Sequence, residues 1–323
     1  MGFLGFVYRQ VMVHPQPPRP QNLSGQTILV TGSNVGIGLE ATRLLMGFKV
    51  ARVIMAVRTL SKGEEAKADL LKSNPSCNVE VWELDMDSFD SVMAFGKRAQ
   101  GLDRLDIALL NAGVKKPEYM ENQLTGHETT IQVNHLATAL LSLLLLPPLR
   151  ASAAKYSKPS RMTITSSEVH MWTPFNERTA PNIIERLDEK STFGNPDRYN
   201  VSKLLNVLWA RELASKVSPT QIIINTVNPG LVQSSLHREN KNAVEKKFTA
   251  IFGRTTEEGG RTLVDAAVVQ GAATHGGYMS ECKEIPASTW VRSAEGAKIQ
   301  KKLWTETVDV LRKETHHSLD TYI

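Results

Sequence analysis

The stretch TILVTGSNVGIGLEATRLLMG, residues 27–47, constrains the fold more than any other part of the chain. TILVT is a short, almost wholly apolar run of β-forming residues, and GLEATRLLMG has helical spacing of its apolar positions. Between them lie glycines at 32, 36 and 38. A strand that ends in a glycine-rich turn and feeds directly into a helix leaves that helix's first N–H groups pointing beyond the strand's end. There they meet an anion, and the glycines let a pyrophosphate approach the backbone.

The alternation continues. VARVIMAV reads as a second strand and SKGEEAKADLLKS as a charged amphipathic helix; VEVWEL, LDIALLN, RMTITS and IIINTVN read as further strands. The segments between them are long enough for helical crossovers. These runs lack the polar alternation of half-exposed strands, which suits a parallel sheet covered on both faces. The expected class is α/β: a single doubly wound Rossmann-type domain, its parallel sheet flanked by helices. It is expected over 25–285, between an apolar and proline-rich extension at 1–24 and a helical tail at 286–323.

The charge balance, 38 basic against 33 acidic residues, is small and dispersed, so no nucleic-acid partner is expected. Cys77 and Cys282 stand far apart without metal-ligand spacing, which predicts no bound metal and fits a reducing, cytoplasmic location. The opening MGFLGFVYRQVMV is too short to span a bilayer and lacks signal-peptide features, and Phe6 breaks the myristoylation pattern. Two readings stand for it: it packs on its own domain, or it dips into a membrane surface or caps an apolar substrate entrance. HPQPPRPQ is a stiff connector. LATALLSLLLLPPLR, with eight leucines between 136 and 149, predicts a helix ended by Pro147 and Pro148 and buried all round, in the core or against another subunit. Residues 233–254 are read as a cover over a site or as a surface helix.

The cofactor's identity turns on the second strand, where proteins that use NAD place a carboxylate for the ribose 2′-hydroxyl. This strand ends in MAVRTLSK, so Arg58, with Lys62, is placed to pair with a 2′-phosphate, and NADP(H) is preferred. In the turn, Gly32, Ser33, Asn34, Gly36, Ile37 and Gly38 are the contacts. RYNVSK places Tyr199 and Lys203 one helical turn apart on one face, and Tyr199 is the only one of six tyrosines with a lysine four residues later.

With TGSNVGIG, NAG (Asn111, Ala112, Gly113), VNH around Asn134, TSS ending at Ser167, YNVSK and NPG in this order, residues 25–280 resemble the classical short-chain dehydrogenase/reductase family. The likeness is greatest to its retinol-dehydrogenase-like branch and to reductases of fungal natural-product pathways. The resemblance implies that Asp85 contacts adenine, that Asn111 stabilises the central strand, and that Asn134, Ser167, Tyr199 and Lys203 are catalytic. It also places Ala112, Gly113, Pro229, Gly230, Val232 and Ser234 at the cofactor, Ser234 standing where the family often has threonine. Assembly through the leucine-rich helix is likewise implied, leaving homodimer or monomer open.

One departure is the 32-residue interval from Ser167 to Tyr199. It predicts a loop at about 168–198 in which His170, Met171, Trp172 and Phe175 either line a pocket for a flat or lipophilic small molecule or pack inward, with Glu168 and His170 beside the serine as candidates for polar recognition. Mechanistically, NADPH would supply a hydride, Tyr199 a proton, and Ser167 a hydrogen bond to the carbonyl oxygen. Lys203 about 5 Å away would favour tyrosinate by roughly 3 kcal/mol and bring Tyr199 to about 7.5. Asn134 would hold a water on the path to solvent. Reversible reduction of a ketone or aldehyde is the expected activity. The alternatives are an isomerase or cyclase that uses the same four residues with NADP bound, and a cofactor-sensing binding protein.

Overall fold

The central strands are buried on both faces. In β1 (Thr27–Thr31), Leu29 packs into one apolar cluster and Ile28 and Val30 into another; in β2 (Arg52–Val57), Ile54 and Ala56 join the first cluster, Val53 and Met55 the second. Burial on both sides is why these runs carry no polar alternation. The computed structural model describes residues 3–237, 239 and 242–322; positions 238, 240 and 241 of the anticipated cover and Met1 and Gly2 of the apolar opening lie outside them.

Four more expected strands form, β3 (Asn78–Glu83), β4 (Ile107–Leu110), β5 (Ser160–Thr165) and β6 (Ile222–Asn228). Two short ones were not anticipated, β7 (Tyr278–Ser280) and β8 (Lys283–Ile285). The sheet order is β3-β2-β1-β4-β5-β6-β7-β8, parallel throughout except for the antiparallel pair β7–β8. The doubly wound, mostly parallel sheet is as expected, and the antiparallel edge is an addition to it: three-residue strands joined by a tight turn give too little sequence for a periodic signal. The chain order reverses between β1 and β4. That switch point opens a crevice beyond the strands' carboxyl ends, where doubly wound sheets bind ligands.

The leucine-rich segment corrects a second expectation. Pro147 and Pro148 do not end the helix: Thr129–Tyr156 is one helical run of 28 residues, with the prolines in the first turn of its last segment, Leu146–Tyr156. Proline is tolerated there because the missing N–H has no partner to lose. The run is long and apolar enough to cross a membrane, but 83% of its most apolar window is buried inside the molecule, the pattern of a core helix. Part of its cover is the C-terminal helix Ala294–Thr315, through His135 Nε2 to Thr307 Oγ1 at 2.9 Å. That helix also stacks Trp304 on Trp209 of the helix Asp197–Lys216, with ring centroids 4.3 Å apart.

Candidate active site

At the switch point the glycine turn folds as expected. Gly32 and Gly36 have φ of +64° and +62°, the left-handed region that glycine adopts without strain. A Cβ on Gly38 would stand 2.4 Å from Gly32 O and 2.6 Å from Asn111 Nδ2, so only glycine lets the helix Gly36–Met46 start against the turn. Val35 offers no side chain to cap that helix. Thr31 Oγ1 accepts from the N–H groups of Asn111 and Ala112, and Asn111 Nδ2 donates to Thr31 O at 3.1 Å, which ties the ends of β1 and β4 together.

One cavity of about 670 Å³ runs along these strand ends. Of the sixteen anticipated cofactor contacts that line it, Gly32, Asn34, Gly36, Ile37, Arg58, Lys62 and Asp85 come from the first three strands and the segments that follow them. Asn111, Ala112, Gly113, Tyr199, Lys203, Pro229, Gly230, Val232 and Ser234 come from the other half, and Ser167 joins them. Arg58 Nη1 is paired with Asp87 Oδ2 at 3.1 Å and remains largely exposed. Ser33, Gly38 and Asn134 stand behind the lining: the Ser33 hydroxyl is buried with no hydrogen-bond partner among the described residues, and Gly38 serves the packing just described.

Asn134 is fully buried in a π-helical turn, Gln132–Leu136. Its Oδ1 accepts from Val114 N at 2.8 Å, and its Nδ2 donates to Val114 O and to Ser202 Oγ, each at 2.9 Å. Both amide hydrogens are thus committed, and the side chain braces the loop after β4 against the helix that carries Tyr199. The two serines separate cleanly. Ser166 is buried and its Oγ donates to Lys203 O at 2.8 Å, whereas Ser167 is half-buried and caps the short helix Glu168–Met171. Lys203 is buried, its Nζ donating to Thr165 O at 3.1 Å and standing 5.5 Å from the centre of the Tyr199 ring.

The electrostatics differ from the sequence expectation. Burial pushes the Tyr199 phenol above its ordinary value rather than toward neutrality, although its ring keeps some exposure to the cavity. Burial also lowers Lys203 to about 8. Removing both groups from water disfavours the charged form of each, and this outweighs their mutual attraction.

Several lining residues escaped the sequence reading. Lys115 stands 5.9 Å from the Tyr199 ring and is ion-paired with Glu245; its neighbour Lys116, outside the lining, pairs with the lining residue Glu239 at 2.9 Å. Both lysines follow NAG after one residue, Val114, a signal that could have placed them near the site. Glu239, Glu245, Phe248 and Thr249 belong to the anticipated cover, whose helix Ala243–Phe252 lines the cavity. Phe6, from the opening helix Phe3–Met12, lines it too. In the long loop, Glu168 and Trp172 face the cavity, while His170 and Phe175 pack inward on Tyr278 and Trp290 and Met171 lies against the core. Burial lowers His170 to about 4 and raises Glu168, whose partner Arg9 works in the opposite sense.

A doubly wound sheet whose switch-point cavity is closed by a glycine turn defines an α/β protein of the dinucleotide-binding class. Comparison with known proteins makes this particular. A short chain dehydrogenase family model matches residues 26–167. Short chain dehydrogenase sol3 of Alternaria solani is 53% identical over 281 residues, covering 87% of this chain and 98% of that protein. Short chain dehydrogenase/reductase dmxR8 of a Cryptosporiopsis species is 39% identical, covering 95% and 97%. The chain belongs to the short-chain dehydrogenase/reductase family of oxidoreductases. Among solved structures, the Pseudomonas aeruginosa RhlG/NADP active-site complex shares the fold at a TM-score of 0.62 and 22% identity, covering 80% of this chain and 95% of that one.

Proposed function

We propose that the protein is an NADPH-dependent reductase of a ketone or aldehyde on a lipophilic small molecule, working reversibly as an alcohol dehydrogenase. The observation that carries this reading is the convergence of Ser167, Tyr199 and Lys203 on the same cavity as the glycine turn. The residues fit the cofactor. The turn is closed by a glycine that admits no Cβ, the helix behind it has no side-chain cap, and Arg58 and Lys62 line the cavity where a 2′-phosphate would be met. Complexes with NADP in structural relatives such as RhlG support the choice. The fungal sources of the sequence relatives support a place in a natural-product pathway.

When bound, the reduced nicotinamide supplies a hydride. This chain's residues do the rest. Tyr199, held protonated by burial, donates its phenolic proton to the carbonyl oxygen, and Ser167 Oγ donates a hydrogen bond to that oxygen as charge develops on it. The Lys203 ammonium stabilises the tyrosinate left behind, and the Asn134–Ser202 brace fixes the Tyr199 helix in register. Loss of absorbance at the reduced-nicotinamide band, measured with a panel of carbonyl compounds, tests the reading. Tyr199→Phe should abolish turnover while NADPH still binds; full activity in that variant would sink the mechanism.

A further inference from the structure

We infer that the N-terminal helix Phe3–Met12 is a fixed wall of the substrate end of the cavity, where Phe6 and Trp172 together select carbonyl compounds bearing a flat apolar ring system. The inference rests on the reductase reading above and names its substrate class. The helix is tied down by bonds to residues far away in sequence. Arg9 is ion-paired with Glu168, the residue after Ser167, and Gln10 donates to Leu231 O at 2.7 Å and Phe252 O at 3.0 Å. Gln10 also accepts from Leu231 N at 3.1 Å, and Arg254 Nη2 donates to the carbonyls of Arg9 and Val13 at 3.2 and 3.0 Å. These bonds join the opening helix to the substrate loop, to the segment after NPG and to the end of the cover helix, so it sits in the site as a built part.

The chemistry of this end differs from that of the cofactor end. Arg58 and Asp85 stand just past the ends of β2 and β3 and Lys62 in the helix Leu60–Ser73 that follows β2, whereas Phe6, Val169, Trp172, Leu236 and Phe248 line the part served by β5, β6 and the cover. Arg9 and Glu168 neutralise each other, so this wall presents no net charge to an ionic substrate. Phe6 and Trp172 meet at 90° with centroids 5.0 Å apart, while Trp172 keeps 38% of its surface exposed. Two perpendicular rings form an apolar corner. A flat ring seated in it meets one side chain face-on and the other edge-on, both favoured aromatic arrangements, while a flexible chain of equal carbon count gains only buried area and loses more rotational freedom.

The test compares kcat/KM for acetylnaphthalene and dodecanone, two ketones of equal carbon number, in the full-length protein and in Phe6→Ala, Phe6→Leu and Trp172→Ala. The ratio should favour acetylnaphthalene in the native chain and fall about tenfold in each variant, Phe6→Leu included, since it keeps apolar volume but has no ring. A ratio within about twofold of native in Phe6→Leu and Trp172→Ala overturns the inference. If the native chain reduces neither ketone, the reductase reading fails separately. Calorimetric titration of acetylnaphthalene into the NADPH-saturated protein then decides: a dissociation constant about tenfold weaker in Phe6→Leu supports the wall, and an unchanged one removes it.

Discussion

Lys203 is the group through which pH should act on catalysis. Its ammonium lies 5.5 Å from the Tyr199 ring, and burial lowers its pKa to about 8 while raising that of Tyr199. Tyr199 therefore stays protonated and able to donate from about pH 6 to pH 10, and Lys203 is what titrates. About nine-tenths of it is charged at pH 7 and about one-tenth at pH 9. At that separation and an effective dielectric near 20 the charge is worth about 3 kcal/mol to a developing tyrosinate. Reductive kcat/KM should thus fall about tenfold per pH unit above pH 8, toward a floor at most about a hundredfold below the plateau. The neighbouring Lys115 contributes less, because Glu245 is paired with it. The assay is NADPH absorbance against pH at limiting substrate, with Lys203→Arg as the decisive variant. Arginine stays charged over this range, so its profile should lose the descending limb, on a lower plateau because the larger head crowds Gly113, where a Cβ would already lie 3.4 Å from Lys203 Nζ. A break near pH 8 that survives in Lys203→Arg belongs to another group, Tyr199 first among them, and would refute the ordering of the two pKa values.

Three further outcomes are expected. Gly38→Ala places a methyl 2.4 Å from Gly32 O and should cost about 1–3 kcal/mol while weakening NADPH binding at least about tenfold by calorimetry; native-like affinity would remove the tight-turn argument. Arg9→Met leaves the Glu168 carboxyl buried without its cation and should lose about 3–5 kcal/mol in urea unfolding, much of it regained in Arg9→Met/Glu168→Gln; no recovery would mean that the pair is not what holds the helix. Burial holds His135 at about 3, against about 6.5 unfolded, so the unfolded state binds the extra proton between those values and stability is lost as pH falls through that window, by at most about 1.4 kcal/mol per unit. His135→Asn should show an acid slope shallower by about one proton in urea midpoints, and an identical slope would clear His135.

The glycine turn, the first six strands and the Tyr199–Lys203 pair are legible because each is local: a period, a turn or a one-turn spacing lies within a few residues. What stayed hidden depends on distance. Nothing near Phe6 or Arg9 says that they meet Trp172 and Glu168, since the ion pair joins residues 159 positions apart. The long loop's aromatics read alike in sequence, yet Trp172 faces the cavity while Phe175 is buried on Trp290, a division set by the tail that packs beneath them. The direction of the Tyr199 shift is hidden for the same reason. A distance between two charges can be guessed from helical spacing, whereas the water removed from both depends on the cover, the N-terminal helix and the strand ends together.

The C-terminal helix shows how far such distant packing reaches into the chemistry. The leucine-rich helix alone leaves a choice between core and partner subunit, but His135 and Trp209 already meet Thr307 and Trp304 of this chain's own tail. The helix that carries Tyr199 and Lys203 is consequently held on two sides. Asn134 reaches Ser202 near its start, while the tail stacks Trp304 on Trp209 and places Gln300 between Arg211 and Glu212, at 3.1 and 2.8 Å. None of the described tail residues lines the cavity, so they act on substrate and cofactor through that helix and through the loop at 168–198 that they pack against. Its register fixes where the phenol and the ammonium stand relative to Ser167, which comes from a different strand end. A site assembled from three separate elements keeps its geometry only if each is clamped independently, and here the clamps come from the two ends of the chain as well as from the sheet.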